Sequence, residues 1–176
     1  MNVRPIYLYL LGAALVLFIL SRTQKGQEVT AAVTDAIAST IGGIRRNNPL
    51  NIERGDPWIG LSEVQTHNRF ATFDDMPHGI RAAAIILRNY QRKYGIRTVQ
   101  AAVSRWDQDP GDPIEEYIET VSNYLGVQKD TVLNFEDRAT VFSYLRGAMI
   151  MEVGRAGALL VSDADVNAGL DLAGFA

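Results

Sequence analysis

The chain has 176 residues and a formal net charge of -3, enough for one globular domain with a short appendage and too balanced to point to nucleic acid. It has no cysteine, which excludes a disulfide framework and a thiolate zinc site. Its histidines, His67 and His78, show neither HExxH nor paired-His spacing, so neither a metal nor a cofactor is expected.

The appendage is at the N-terminus. Pro5 to Leu20 carries no charge. As a helix this stretch spans about 24 Å at about 1.5 Å per residue, a little short of a hydrocarbon core of about 30 Å. Tyr7 and Tyr9 suit one interface, and Arg22 can snorkel at the other. A cleaved signal peptide is the competing reading, but Ser21-Arg22-Thr23-Gln24-Lys25 offers no small-x-small site. The expectation is an uncleaved anchor over residues 1–22 and a linker over 23–28. Arg4 with the amino terminus nearly balances Arg22 with Lys25, so orientation stays open.

A helical domain is expected over 29–160. Val29, Val33, Ala36, Ile37 and Ile41 form a helical stripe that Gly42-Gly43 ends. The loop from Arg45 to Trp58 follows, with Asn47-Asn48-Pro49-Leu50-Asn51-Ile52 at its centre. Asn bonds its own backbone and Pro fixes φ, so this is turn chemistry. Leu50 and Ile52 argue that the loop is packed down, with amides fixed in place. Such a loop suits a sugar or peptide ligand, and equally a turn stapling two helices. Leu61 to Phe73 is short and mixed and suits a small hairpin.

A helix begins near Asp74, Asp75 and Pro77, carries Ile80, Ala83, Ala84 and Leu87, and stops at Gly95. Thr98 caps a shorter helix through Trp106. After a Pro/Gly/Asp loop, Ile114 to Leu125 places Tyr117, Ile118 and Val121 on one face, and Gly126 ends it. Asp137 or a neighbour opens the last strong helix, where Val141, Leu145, Ala148, Met149 and Glu152 recur at three-and-four spacing. Residues 161–176 are small and acidic and read as a flexible tail.

Glu152 closes the apolar run Ala148-Met149-Ile150-Met151. A desolvated carboxyl there would keep its proton nearer neutral pH, as a general acid requires, and Gly154 would let a substrate approach. A solvated Glu152 paired with Arg155 is an equal alternative. Glu53, beside Arg54, and Glu63 are rivals; Glu115, Glu116 and Glu119 read as a solvated face. Trp58 can stack on a sugar ring or serve as a packing anchor.

From Ile44 to about Gly154 the chain resembles the phage virion and endolysin-like proteins of the lysozyme superfamily. The resemblance rests on Asn47, Asn48, Pro49, Asn51 and Ile52, then Trp58 and Gly60, then Phe70 and Phe73. It continues through Gly79-Ile80-Arg81-Ala82, Tyr90, Arg92, Gly95, Thr98-Val99 and Arg105-Trp106 to Tyr117-Ile118, Val121, Glu152 and Gly154. It departs at Leu50, where the family usually has Gly, and at Met151-Glu152-Val153-Gly154, where the family reads H-E-N-G. The middle block is also similar to soluble lytic transglycosylases, whose acid precedes it; Val29 to Asn51 contains no Glu.

The resemblance implies a mainly α, lysozyme-like domain in circularly permuted order, behind a single N-terminal transmembrane helix. It implies that Glu152 acts as catalytic acid, with Asn48, Asn51, Trp58 and Tyr117 holding the sugar. A lone acid fits the transglycosylase route, whereas hydrolysis normally uses two carboxylates. The implied protein is a membrane-anchored virion enzyme cutting peptidoglycan strands during entry, resident in a virion or host inner membrane. Its partners would be peptidoglycan, a lipid membrane and other virion proteins. A catalytically inactive virion membrane protein and a cell-wall binding module are the alternatives.

Overall fold

The computed structural model describes residues 42–107 and 113–176. Among them are seven helices: α1 (Gly42–Arg45), α2 (Met76–Tyr94), α3 (Val99–Trp106), α4 (Ile114–Leu125), α5 (Arg138–Glu152), α6 (Gly154–Leu160) and α7 (Asp163–Leu172). The expected helix over 29–41 and the expected linker lie outside the described residues.

Local chemistry fixes most boundaries. The Asp75 side chain accepts from the His78 N–H at the start of α2, Pro77 sits in its first turn, and Gly95 closes it at φ 67°. Thr98 caps α3 through the Ala101 N–H, and Asp137 caps α5 through the Thr140 N–H. Gly126 ends α4 at φ 69°.

The core forms where these helices stack. α2 packs on α7, α4 on α5, α3 on α4 and α5 on α6, with α5 also touching α2 and α7. Ile80, Leu87, Val99, Val103, Val121, Leu145, Met149 and Leu170 are fully buried there. The Asn/Pro loop lies on the N-terminal end of α2. A Cβ on Gly79 would sit 2.0 Å from the Asn47 carbonyl oxygen, so only glycine permits that approach.

Two expectations need local correction. The segment from Leu61 to Phe73 forms no strand; it contributes to two isolated antiparallel bridges, Glu53–Phe70 and Leu61–Phe73. Side-chain bonds hold it instead: Gln65 donates to the Ser62 and Thr72 carbonyls and accepts from the Thr72 N–H. The tail expected to be flexible contains α7, opened by a capping box between Ser162 and Asp165. Val166 and Leu170 are buried, and Arg138 ties the tail down through Asp171, Asn167 and the Phe175 carbonyl.

The expectation of a lysozyme-like domain behind a membrane-spanning helix is corrected to a mainly helical domain. Among the described residues no helix is long and apolar enough to cross a membrane. The longest, α2, has 19 residues but carries Arg81, Arg88, Arg92 and Lys93. A single-pass protein of a virion or host inner membrane is set aside on the same finding. The segment proposed as anchor, 1–22, lies outside the described residues.

Candidate functional site

The site forms where the buried stripe of α5 runs out. Val141, Leu145, Ala148 and Met149 face the core, and Glu152 continues their spacing one turn further. Helical geometry therefore drives this carboxyl inward. The chain then breaks at Val153, and Gly154 at φ 71° lets α6 start in a new direction. That is the role of Gly154 in the fold. A close approach by a substrate is not needed to explain it.

Three segments converge on the carboxyl. Trp106, the last residue of α3, donates its indole N–H to Glu152 Oε1 at 3.0 Å. Tyr117 of α4 donates its hydroxyl to the same oxygen at 2.9 Å. Asn51 of the Asn/Pro loop donates Nδ2–H to Oε2 at 3.0 Å and to the Glu152 backbone carbonyl at 3.1 Å. These partners replace the Arg155 pairing that the sequence left open.

Burial pushes the Glu152 carboxyl above the ordinary carboxylate range, with the nearby Asp107 charge adding to it. The donors from Asn51, Tyr117 and Trp106 act against this by favouring the ionised form. Two opposed influences thus act on one carboxyl, and burial prevails, so it holds its proton more tightly than an ordinary carboxylate. Tyr117 is itself pushed well up, by burial first and then by the Glu152 charge, so its hydroxyl remains a donor.

Glu152 opens onto a cleft of about 610 Å³, within the range of small-ligand sites. Asn51, Glu53, Phe70, Tyr90, Arg105 and Asp107 contribute to its walls. The Arg69 guanidinium pairs with Glu53 at 2.7 Å and lies over Phe70 at 5.0 Å. The Arg105 guanidinium lies over Tyr90 at 5.3 Å and Tyr94 at 3.9 Å. The cleft wall thus carries both aromatic and charged side chains.

The five residues singled out from sequence divide clearly. Glu152 and Asn51 line the cleft, and Tyr117 touches it only through Glu152. Asn48 is corrected: it is fully buried, donates to the Ile52 and Ala71 carbonyls, and accepts from the Ile52 N–H. It shapes the loop and has no face for a sugar. Trp58 is half-buried, with its indole nitrogen buried, and does not line this cleft. Of the rival carboxylates, Glu53 reaches the cleft and Glu63 lies exposed elsewhere. Trp106 was legible only as half of the Arg105-Trp106 motif. Its donor role depends on where α3 ends relative to α5, which no local pattern encodes.

Fold and site thus define a mainly α domain built round one part-buried carboxyl at the wall of an open cleft. No protein-family model matches the chain. Over 105 residues it is 38% identical to Protein P5 of Pseudoalteromonas phage PM2. The match takes in 57% of this chain and 66% of that relative, just under two thirds of its length. The chain is therefore similar to a phage protein.

Proposed function

We propose that this chain is a phage virion protein that cuts peptidoglycan glycan strands, with Glu152 as acid and then base. The likeness to Protein P5 of phage PM2 supports the phage assignment. The observation that carries the chemistry is the desolvated Glu152 carboxyl, held by three donors at the wall of the cleft. The ordered motifs shared with endolysin-like proteins and lytic transglycosylases support the choice of substrate.

In the first step the neutral carboxyl gives its proton to the glycosidic oxygen while the C1–O bond breaks. Positive charge develops at C1 and the ring oxygen. The carboxylate left behind is stabilised by the Asn51, Trp106 and Tyr117 donors. In the second step it takes a proton from the nucleophile that closes on C1, which restores the acid. If the nucleophile is the sugar's own C6 hydroxyl, the product is a 1,6-anhydro end. If it is water, the product is a reducing end. Glu53, paired with Arg69, and Asp107 share the cleft with Glu152, and the nature of the released ends decides whether either serves as a second carboxylate.

A second reading has its own support. The same hydrogen bonds join α3, α4, α5 and the Asn/Pro loop, so Glu152 would serve equally as a structural tie in a non-catalytic virion protein. Incubating the full-length chain and its Glu152→Gln variant with peptidoglycan, with mass spectrometry of released fragments, separates the two. Anhydro ends released by wild type alone uphold the proposal, and reducing ends would replace the transglycosylase route with hydrolysis. No release by a folded wild-type chain would leave the structural reading.

A further inference from the structure

The Asn51 amide is held in a single orientation. Its Nδ2 makes two bonds to Glu152, one to the backbone carbonyl and one to Oε2, while its Oδ1 accepts from Arg46 Nη2 at 3.3 Å. Turning the amide over would aim Oδ1 at two acceptors and its N–H donors at a guanidinium. Asn51 also sits at φ 47°, a backbone region that Asn tolerates and most side chains do not. Gly43 leaves the space: a Cβ there would lie 3.3 Å from Asn51 Oδ1 and 2.6 Å from a Val153 methyl. Both Asn51 N–H bonds thus go to Glu152, while Asn51 itself lines the cleft.

Arg46 is itself held in place. Its backbone carbonyl accepts from the Phe73 N–H at 2.9 Å, and its guanidinium lies over Phe70 at 5.4 Å, on the cleft wall. Its Nε is buried without a partner, and burial pulls the guanidinium below its usual range.

We propose that Arg46 is a positioning residue for the acid, acting through Asn51: by fixing Oδ1 it keeps both amide N–H donors aimed at Glu152. This rests on the reading of Glu152 as the working carboxyl. Arg46 touches neither Glu152 nor the expected place of the sugar, and it acts only through the amide. Other groups also face the acid. Asp107, Tyr117 and Tyr144 influence it directly, while Arg105, Tyr90 and the Glu53–Arg69 pair share its cleft. All of them are unchanged in the variants below.

The test is a carboxyl NMR titration of Glu152 in the full-length chain, run on wild type, Arg46→Met, Asn51→Gly and the double variant. Glycine accepts the backbone angle at position 51, so that variant removes the amide without adding strain. Folding is checked by cooperative thermal melts, and Arg46→Leu, which also lacks a donor, serves as the substitute if Arg46→Met does not fold. The expected result is an upward shift of the Glu152 titration in both single variants. The double variant should show no more than the Asn51→Gly shift, because the two residues form one chain of action. On peptidoglycan, Arg46→Met should lose about 10- to 100-fold in kcat with KM little changed, as misplacement of a reacting group does. A folded Arg46 variant with an unmoved Glu152 titration, or shifts that simply add in the double variant, would overturn the assignment. The titrations need no turnover. If they behave as expected while the wild type leaves peptidoglycan intact, the positioning holds and the enzymatic reading fails alone.

Discussion

Replacing Tyr117 by Phe isolates one of the opposed influences on Glu152. The ring is only 4% exposed, and Phe fills the same volume, so packing is preserved while one donor at 2.9 Å is lost. Glu152 Oε1 keeps the Trp106 N–H, and Oε2 keeps Asn51. A hydrogen bond to a charged acceptor is worth about 1 kcal/mol more than one to a neutral acceptor. Losing it therefore raises the energy of the ionised carboxylate relative to the acid by about 1 kcal/mol. Since about 1.4 kcal/mol corresponds to one pH unit, the Glu152 titration should move up by the better part of one unit.

The sign follows from the role. A general acid must be protonated, so activity falls on the high-pH limb, and that limb of kcat/KM should move upward in Tyr117→Phe. Stability gives a second readout. Burial already raises Glu152 above its unfolded value, so the folded chain holds this proton more tightly. The contribution of this group is fully present below the unfolded carboxylate range and is lost as pH rises through the folded value. The variant should deepen that loss. Its denaturant midpoint should match wild type more closely at pH 4 than at pH 8. A folded variant with an unmoved high-pH limb and a pH-independent stability difference would show that Tyr117 does not set the state of the acid.

Three further substitutions test how the site is framed. Asn48→Ala removes three hydrogen bonds from a fully buried side chain and should cost about 3 kcal/mol in chemical denaturation. A variant of undiminished stability with weakened glycan binding would return Asn48 to the cleft. Trp58→Phe should leave the affinity for peptidoglycan fragments unchanged by calorimetry, because Trp58 does not line the cleft. A tenfold loss of affinity would contradict that placement. Gly79→Ala puts a methyl against the Asn47 carbonyl and should destabilise by about 1–3 kcal/mol, read as a lower thermal midpoint. An unchanged midpoint would mean that the Asn/Pro loop does not pack on α2 as described.

Much of the helical frame was legible because its signals are local. Asp75, Gly95, Thr98, Gly126 and Asp137 each act on backbone within a turn of themselves, and each stands at or beside the helix end that the sequence marked. Glu152 was legible as a candidate because it continues an apolar stripe. What surrounds it was not. Asn51 lies 101 residues away in sequence, Trp106 lies 46 away and Tyr117 lies 35 away, so their convergence depends on tertiary packing. Asn48 and Asn51 look alike in sequence, yet one bonds the loop's own backbone and the other reaches across to α5. The loop's turn geometry decides between them, and it emerges only when Asn51 takes φ 47°.

The tail shows the opposite error, where small and acidic composition concealed a packed element. Val166 and Leu170 are fully buried, and Phe175 is 6% exposed with the Arg88 guanidinium 4.8 Å from its ring. α7 covers Ile80 on α2: a Cβ on Gly169 would lie 2.6 Å from an Ile80 methyl, so the helices are in close contact there. Burying three such side chains contributes about 4.5–9 kcal/mol as an upper estimate, at roughly 1.5–3 kcal/mol each. That is comparable to the whole stability of a small domain, about 5–15 kcal/mol. Arg138, at the start of α5, would also lose Asp171, Asn167 and the Phe175 carbonyl. Removing residues 161–176 should therefore abolish the cooperative thermal transition and expose the apolar face of α2 to a hydrophobic dye. Arg138→Met offers a graded version: a lowered thermal midpoint with the fold retained. A truncated chain that melts cooperatively near the wild-type midpoint would show that α2 and α5 hold their positions, and hence the Glu152 carboxyl its place, without the tail.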